Sequence, residues 1–369
     1  MKIEVSFEKF KDAVLLAAPI TVKHPTLPVL SCVLMDIKKN SISLKATNLD
    51  MGITITIPAK TDGEGKVAIP AQIVSSFISQ SPIQDKAMTL DIVSGNVNIT
   101  AMKSKVVIKS MPADDFPDMP EASGDHITKL PSEAFMKGLK AVSYSASISS
   151  VKPELSSVYV YKTDKKLTFV ATDSFRLAEK KVETLSLPAN FPDILIPLKN
   201  IGGIVRFLEH AGGDVDMSSD KNLMSCSTPG AVLVSRIIDG VFPDYRQIIP
   251  KGFSTEAVVL KHDLTNALKL SNIFSDSFNL VRLVIDPKTK HFEVHTRNND
   301  VGENDTFVDA ALTGDRMEIN FNYKYVTDCL QSIDADSMSL QLGGSNKPMV
   351  IRPVSGDQSF MYLVMPMNR

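Results

Sequence analysis

The chain has few cysteines and no excess of positive charge. Its three cysteines, Cys32, Cys226 and Cys329, are widely spaced along 369 residues and lie in apolar surroundings. An odd number at this spacing is typical of buried reduced thiols rather than of disulfides or a metal cage. The formal net charge of −2 gives no overall signal for nucleic acid.

Long apolar runs are also missing. The longest stretches fall well short of the roughly 18 residues that a membrane span requires, and no such run follows the first residues. We therefore expect no secretory signal, no membrane association and a cytoplasmic location. The hydrophobic content of 43% is sufficient for packed cores, and the length allows two or three domains.

Motifs of catalytic sites do not occur. The sequence contains no nucleophile elbow and no paired CxxC. Gly202-Gly203 lies inside a predicted helix, and the segment from Gly343 to Lys347 lacks the closing Gly-Lys-Ser/Thr of a P-loop. No catalytic constellation emerges, and we expect a protein without enzymatic activity or cofactor.

One segment resembles a metal site. His291, Glu293 and His295 share a face if the segment is a strand, and this set of side chains could bind zinc. The same alternation is explained by an exposed strand with Phe292 and Val294 turned inward. We expect this simpler arrangement, with no bound metal.

A turn segment occurs three times at the spacing of a domain. Its copies contain Thr47, Thr172 and Thr296, about 125 residues apart. In the middle copy, apolar residues flank Thr172-Asp173-Ser174, which is the pattern of a strand that enters a turn and returns. A period of this length indicates repeated domains rather than a solenoid.

Each third of the chain also contains two predicted helices. The first helix of each third has an apolar face and a possible N-cap, at Ser6, Ser132 and Asp263. The second helices keep apolar residues at positions offset by 127 and then 125 residues, namely Val74, Phe77 and Ile78, then Ile201, Ile204 and Val205, then Val326, Cys329 and Leu330.

β-rich segments complete each third. In the first third they are predicted at Val29–Ile37, Ser41–Ala46, Met88–Asp91, Asn96–Met102 and Val106–Met111. Two helices and two groups of strands per third indicate an α+β fold with antiparallel sheets, in three tandem copies. Proline-bearing linkers predict domains that span 1–120, 128–250 and 254–369.

Four motifs make the chain resemble the bacterial DNA polymerase III beta subunit family, the DNA sliding clamps, over its whole length. They are His24-Pro25-Thr26-Leu27-Pro28-Val29-Leu30, Ala171-Thr172-Asp173-Ser174-Phe175-Arg176-Leu177-Ala178, Phe242-Pro243-Asp244-Tyr245-Arg246 and Tyr362-Leu363-Val364-Met365-Pro366-Met367. The resemblance implies the DNA clamp fold, in which three similar domains per subunit form a head-to-tail homodimeric ring. It also implies a non-catalytic processivity factor that encircles duplex DNA and tethers a polymerase.

The resemblance further implies a groove between the second and third domains that binds short linear motifs of DNA polymerases, the clamp loader and repair proteins. The matching positions are Leu155, Thr172, Ser174, Phe175, Arg176, Leu177, Pro243, Ile248, Asn322, Tyr325, Val364, Met365, Pro366 and Met367. The apolar members could wall a pocket, and methionines suit several partners. The chain departs from the family at Ser174-Phe175, where a small residue and histidine are usual, and at Gln247, where arginine is common.

A sliding ring needs only a modest cationic lining, because tight phosphate contacts would stop it. The candidates for DNA contact are Lys23, His24, Lys152, Lys199 and Arg206, and further candidate cations are Lys9, Lys11, Lys137, Lys140, Lys269 and Lys324. His24 stands where the family often has arginine, which weakens that contact near neutral pH.

The joint between subunits is expected at sheet edges. The strand around Val107 and Ile108 of one chain would pair near Ile273 and Phe274 of the partner subunit. The alternative to a clamp is a protein-interaction scaffold that never encircles DNA, because a scaffold also needs the groove.

Overall fold

The computed structural model describes residues 1–23, 25–81, 87–101, 104–120, 128–184, 187–188 and 191–367. The α-helices within these residues are Phe7–Ala17 (α1), Ala71–Gln80 (α2), Ser132–Val142 (α3), Leu198–Ala211 (α4), Lys261–Ile273 (α5) and Tyr323–Asp328 (α6). None of the helices in these ranges has the length and apolar character needed to cross a bilayer.

The described residues contain 25 strands, of which 13 precede α4 and 12 follow it. The first group is Lys2–Ser6 (β1), Cys32–Lys38 (β2), Ser41–Thr47 (β3), Met51–Thr61 (β4), Gly65–Pro70 (β5), Ala87–Val93 (β6), Asn96–Ala101 (β7), Ser104–Ile108 (β8), Thr128–Pro131 (β9), Ser157–Thr163 (β10), Lys166–Thr172 (β11), Arg176–Glu183 (β12) and Ile194–Pro197 (β13). The second group is Asp214–Ser219 (β14), Leu223–Thr228 (β15), Ala231–Arg236 (β16), Thr255–Leu260 (β17), Leu280–Asp286 (β18), His291–Asn298 (β19), Gly302–Phe307 (β20), Ala310–Gly314 (β21), Met317–Asn322 (β22), Ser337–Leu342 (β23), Met349–Pro353 (β24) and Phe360–Val364 (β25).

The chain forms two compact units. The first unit comprises Met1–Glu133 and Lys199–Ile237, and the second comprises Ala134–Leu198 and Ile238–Arg369. The first unit contains one sheet in the order β8-β7-β6-β1-β4-β16-β15-β14-β9. On β4 it also carries β3, which pairs with β2, and β2 pairs in turn with β5. The second unit contains a sheet in the order β13-β10-β11-β12-β25-β24-β23-β17-β21 and a smaller one in the order β20-β19-β18-β22.

Neighbouring strands pair antiparallel in all three sheets, which confirms the predicted α+β class. In the first unit, β4 of the first third pairs with β16 of the second third. In the second unit, β12 of the second third pairs with β25 of the last third. Each larger sheet therefore continues across one of the predicted domain limits, which themselves stay a prediction.

The first helices of the three thirds begin differently. Ser6 caps α1 as predicted, and its Oγ accepts a hydrogen bond from the Lys9 amide at 3.5 Å. Helix α3 begins at Ser132 itself, so Ser132 is its first helical residue and not the predicted N-cap. The predicted cap at Asp263 is wrong, because α5 begins two residues earlier, after Leu260, and Asp263 lies in its first turn. A carboxylate in the first turn interacts favourably with the positive end of the helix dipole, although it does not cap the helix.

Two further predictions of element limits need correction. The segment predicted as a strand from Val29 begins as a 3₁₀ turn, Pro28–Ser31, and β2 starts only at Cys32. The proline fixes its own φ near the helical value, which favours the turn. The second helix of the last third is shorter than its counterparts, since α6 ends at Asp328 and a 3₁₀ turn, Cys329–Ser332, follows.

The cysteines are buried and free, as predicted. Burial raises the pKa of the Cys226 thiol to about 12 and raises that of Cys32 as well. These groups therefore stay protonated at neutral pH and are poor nucleophiles and metal ligands.

Gly138 allows α3 to approach β11 closely. A Cβ atom at this position would lie 2.3 Å from the ring of Phe169, which is fully buried on β11. Phe135, one turn earlier on α3, packs edge-on against the same ring, with 5.4 Å between the ring centroids. The glycine thus places the helix on the strand that leads to the Thr172 turn.

Candidate functional site

The turn between β11 and β12 is closed by its own polar side chains. The Thr172 hydroxyl donates to the Arg176 carbonyl at 2.6 Å and accepts from the Ser174 amide at 3.2 Å. The Asp173 carboxylate accepts from the amides of Phe175 and Arg176 at 2.9 and 3.0 Å. These bonds hold Ser174 at a φ of 79°, which is uncommon for a residue other than glycine. The Phe175 side chain is 60% exposed at the tip of the turn.

Arg176 is held by groups on three sides. Its Nε lies 3.0 Å from the Asp173 carboxylate, and its terminal nitrogen donates to the Asp328 carboxylate at the end of α6. The guanidinium also lies over the Tyr325 ring, 4.6 Å from the centroid. Burial on its own would lower the pKa of Arg176, but Tyr362 and the two carboxylates raise it above its ordinary value. Arg176 is therefore a fixed cation whose side chain is only 10% exposed.

Residues 360–367 lie against this turn. Strand β25 runs along β12, and the Met365 amide then donates to the Phe175 carbonyl at 2.8 Å. The Met367 amide donates to the Asn320 carbonyl of β22, also at 2.8 Å. Met365, Pro366 and Met367 are half-buried, so part of each side chain faces solvent.

The apolar residues predicted for the groove divide into buried and exposed members. Leu177 and Val364 are fully buried, and Leu177 packs in a cluster with Phe242, Tyr245 and Leu363. Leu155 is also buried.

Pro243 and Ile248 are exposed. They lie on the segment that contains the 3₁₀ turn Tyr245–Ile248. Asn322 ends β22 and caps α6, where its side chain accepts from the Lys324 amide at 3.0 Å.

A buried chain of hydroxyls supports the 3₁₀ turn. The Tyr245 hydroxyl donates to the Glu179 carboxylate and lies 2.8 Å from the Tyr161 hydroxyl. Arg246 donates to the Tyr161 hydroxyl at 2.7 Å. Burial, and then the Glu179 charge, raises the pKa of Tyr245, so its proton stays in place to make this bond. Gln247, the departure from the family pattern, donates to Asp244 at 2.8 Å.

The candidate DNA-contacting cations have different surroundings. Lys23 and Lys152 are exposed on loops, and Arg206 is exposed on α4. Lys199 lies 2.6 Å from the Asp50 carboxylate, which offsets its charge locally. His24 lies outside the described residues.

Of the further candidate cations, Lys9 and Lys269 are exposed on α1 and α5, whereas Lys137 is paired with Asp357 at 3.1 Å. Which of these cations contact DNA therefore stays a prediction.

The residues proposed for the subunit joint lie at or near sheet edges. In the described sheets, β8 pairs with β7 and ends the first sheet, and β20 pairs with β19 and ends the smallest sheet. Val107 is exposed on β8, whereas Ile108 is buried and supports the strand from within. Ile273 is exposed at the end of α5, and the Phe274 ring is 3.7 Å from the position of a Cβ at Gly302 on β20.

Three domain models of one family match consecutive parts of the chain. The N-terminal domain of the DNA polymerase III beta subunit matches residues 1–120, the central domain matches 129–244, and the C-terminal domain matches 246–368. The chain belongs to the DNA polymerase III beta subunit family. This is the family that the four motifs indicated.

Two curated relatives align with the chain over most or all of their length. The chain is 26% identical over 374 residues to a beta sliding clamp of Synechococcus elongatus, covering 100% of this chain and 99% of the relative. A beta sliding clamp of Staphylococcus epidermidis is 24% identical over 358 residues and 93% of each chain.

Solved beta subunits share the fold. The beta subunit of Thermotoga maritima superposes with a TM-score of 0.93 at 24% identity, covering 100% of this chain and 99% of that one. A sliding clamp of Bartonella birtlesii, solved bound to griselimycin, gives a TM-score of 0.92 at 25% identity and full coverage of both chains. The three-domain DNA clamp fold is thereby confirmed.

Sequence reasoning missed the partners that hold several of the residues predicted for the groove. Asp328 pairs with Arg176 across 152 positions of sequence, and Glu179 pairs with Tyr245 across 66. No local spacing predicts such pairs. Asp173 was different, because it directly follows Thr172 in the turn and its type already indicated a role in closing the turn.

Proposed function

We propose that this chain is the processivity factor of a bacterial DNA polymerase. It works in the cytoplasm as a non-catalytic homodimeric ring that encircles duplex DNA without sequence preference. The observation that carries this proposal is the match of three consecutive beta-subunit domain models, which together span nearly the whole chain. The net charge of −2 is compatible with it, because a topologically linked ring needs few phosphate contacts.

The groove of the second unit is the proposed binding site for short motifs of polymerases, the clamp loader and repair proteins. Leu177 and Val364 are buried in the free chain, so a peptide would first meet the exposed apolar groups of Phe175, Pro243 and Ile248. The half-buried methionines near the C-terminus adapt readily to different side chains.

Two features give the proposed groove its selectivity. The Arg176 cation is already paired with two carboxylates, so it orients a peptide through its fixed position rather than through a free charge. Phe175 stands where the family usually has histidine, which makes this side of the groove more apolar. We therefore expect a stronger preference for bulky apolar residues in the bound motif.

A labelled peptide of the glutamine–leucine–phenylalanine type tests the groove by fluorescence polarisation. Saturable binding is expected for the wild type, and it should be lost in a variant that lacks residues 365–369. Phe175→Ala should weaken binding, whereas the control Leu270→Ala, which removes an exposed side chain of α5, should not. No binding to folded wild type would contradict the assignment of the groove.

The sheet edges support a head-to-tail ring. Side chains at alternate positions of one edge are exposed, namely Lys105, Val107 and Lys109. The other edge strand exposes Glu303, Asp305 and Phe307 in the same alternation. In the antiparallel register that places Val107 of one chain opposite Phe307 of the other, Lys109 would lie opposite Asp305, and both contacts would stabilise the pairing of β8 with β20.

The alternative function is a scaffold that binds proteins in the groove but does not encircle DNA. Peptide binding does not separate the two functions, because both use the same groove. Only a measurement that depends on the topology of the DNA distinguishes them.

A further inference from the structure

A row of alternating imidazoles and carboxylates crosses the outer face of β19 and β20. His291, Glu293 and His295 occupy alternate positions of β19, and the inward positions between them are buried. The structure adds a residue that the sequence pattern did not include. Asp305 of β20 is the direct cross-strand neighbour of His295. Four potential ligands therefore lie on one face of two paired strands.

Three of these side chains converge on one point. One ligand atom each from Glu293, His295 and Asp305 lies within 4.8 Å of the other two. His295 Nδ1 is 2.5 Å from the Asp305 carboxylate. In a tetrahedral site with metal–ligand bonds of about 2.0–2.1 Å, ligand atoms lie about 3.3 Å apart. Side-chain rotations that change the distances between the ligand atoms by at most about 1.5 Å would close this group around an ion.

His291 extends the group on its other side. Its Nε2 lies 2.9 Å from the Glu293 carboxylate, and its ring packs against Phe307 with 5.2 Å between centroids. A ligating carboxylate usually accepts such a bond from a neighbour, which fixes its orientation. His291 can therefore serve as this neighbour or fill the fourth position itself.

The charge around the group favours a cation. It lies in a cleft of about 470 Å³ whose charged side chains are five carboxylates and two guanidinium groups, with His291 and His295 besides. One of the guanidinium groups, Arg282, is paired with the Glu318 carboxylate at 3.1 Å. The remaining excess of negative charge lowers the free energy of a bound divalent ion.

We propose that Glu293, His295 and Asp305 form a binding site for a zinc-like divalent transition-metal ion. An imidazole with two carboxylates suits zinc and its neighbours in the first transition series, whereas calcium and magnesium prefer oxygen ligands alone. The ion would link the edge strand β20 to β19 through side chains, in addition to the hydrogen bonds of the backbone. This proposal does not depend on the function in DNA replication.

Titration of the tag-free, metal-stripped full-length chain with zinc by calorimetry tests the site. We expect one equivalent per chain with micromolar affinity for the wild type. Removing only a hydrogen-bond partner of a ligand costs roughly 10–100-fold in affinity, so His295→Ala, which removes a ligand, should lose at least as much. The buried thiols do not compete, because burial keeps them protonated.

His262→Ala is the matched control, because His262 is a histidine of the same unit that also lies beside a carboxylate, with its Nδ1 3.3 Å from Asp263. It should bind zinc like the wild type. Asp305→Asn keeps the shape of the ligand and should also weaken binding, so the test does not rest on one variant. A cobalt-substituted sample should show visible absorption bands that disappear in His295→Ala.

Two outcomes would overturn the proposal. One is a wild type that shows no saturable zinc binding at micromolar concentrations. The other is a folded His295→Ala variant, checked by circular dichroism, that binds zinc with unchanged affinity. Because Asp305 lies at a proposed subunit joint, the mass of the assembly is recorded in every sample. A change in mass without loss of binding in Asp305→Asn would count against its role as a ligand.

Discussion

Arg176 shows how a single residue can connect the elements around the proposed groove. Its guanidinium links the β11–β12 turn to the end of α6 through Asp173 and Asp328, and it stacks on Tyr325. The residue therefore joins parts of the chain that lie far apart in sequence. The geometry of the proposed groove therefore depends on this link.

Removing the Arg176 side chain should destabilise the protein. Arg176→Ala leaves Asp173 without its cation, and hydrogen bonds to charged groups contribute about 1.5–3 kcal/mol each, so we expect a loss of about 2–3 kcal/mol in the free energy of unfolding by urea. Arg176→Lys keeps the charge but loses the forked geometry, so its free energy of unfolding should lie between those of the wild type and Arg176→Ala. Lys166→Ala breaks an exposed ion pair with Glu183 and should change the value by less than about 0.5 kcal/mol. An equal effect of Arg176→Ala and Lys166→Ala would contradict this role.

Asp357 should make the stability depend on pH. Lys180, whose side chain is 3% exposed, lies 2.6 Å from its carboxylate. Burial alone would raise the pKa of Asp357, but hydrogen bonds from Lys180, Ser359 and Lys137 hold it well below its ordinary value. The unfolded-state pKa is about 3.9, so this contribution is present above about pH 4 and is lost as the pH falls through the folded-state pKa.

The variant Asp357→Asn isolates that contribution. At neutral pH it should be less stable than the wild type by about 1–3 kcal/mol, because Lys180 keeps its burial without its counter-ion. As the pH falls from about 4 towards the folded-state pKa, the two unfolding free energies should converge, since the Asp357 carboxyl of the unfolded wild type is protonated first and that of the folded protein follows. Curves that stay parallel down to the acid transition would show that the pair does not contribute.

At the scale of elements, the repeat in the sequence predicted some turns better than others. The turns after Thr47 and Thr172 have the same bonds, in which Asn48 and Asp173 each accept two amides. Thr296 differs, because it lies within β19 and donates to the Ser271 carbonyl, and the turn begins only at Asn298. Local residue types therefore predicted the first two turns, whereas packing against α5 determines the third.

The candidate sites show the same limit. Residues close together in sequence, such as those from Thr172 to Leu177, could be assigned to one turn from their types alone. The pairing of Asp328 with Arg176 and that of Asp305 with His295 could not be predicted. Helix packing brings the first pair together and strand pairing the second, over separations in sequence that no period describes. The helix faces were predictable, since a spacing of three and four residues encodes them directly.

Helix α3 offers a test of helix-to-strand packing. Gly138→Ala would bring a methyl group to 2.3 Å from the Phe169 ring, and overpacking of this kind costs about 1–3 kcal/mol. Gly202→Ala on α4 is the control, since no atom lies within 4 Å of the new methyl group. It should stabilise the protein by about 0.5–1 kcal/mol, because alanine favours a helix over glycine. Thermal unfolding of both variants is the measurement, and effects of the same sign would contradict this account.

At the scale of the whole molecule, the proposed ring can be tested by exchanging charges. One variant carries Lys105→Glu and Lys109→Glu, and the other carries Glu303→Lys and Asp305→Lys. Each alone would place like charges across the joint, so each should sediment as a monomer at concentrations where the wild type is a dimer. An equimolar mixture should recover the dimer mass, because opposite charges then meet at both joints. Variants that remain dimeric alone would place the joint elsewhere.

The central claim is that the chain encircles DNA, and the topology of the DNA tests it most directly. The labelled protein is loaded by a clamp loader and ATP on a primed circular plasmid, and the DNA is then isolated by gel filtration before and after a single restriction cut. A ring linked to the DNA stays on the circle and is lost when the cut provides ends. Equal loss from circular and linear DNA would contradict encirclement and leave the groove as the site of a scaffold protein.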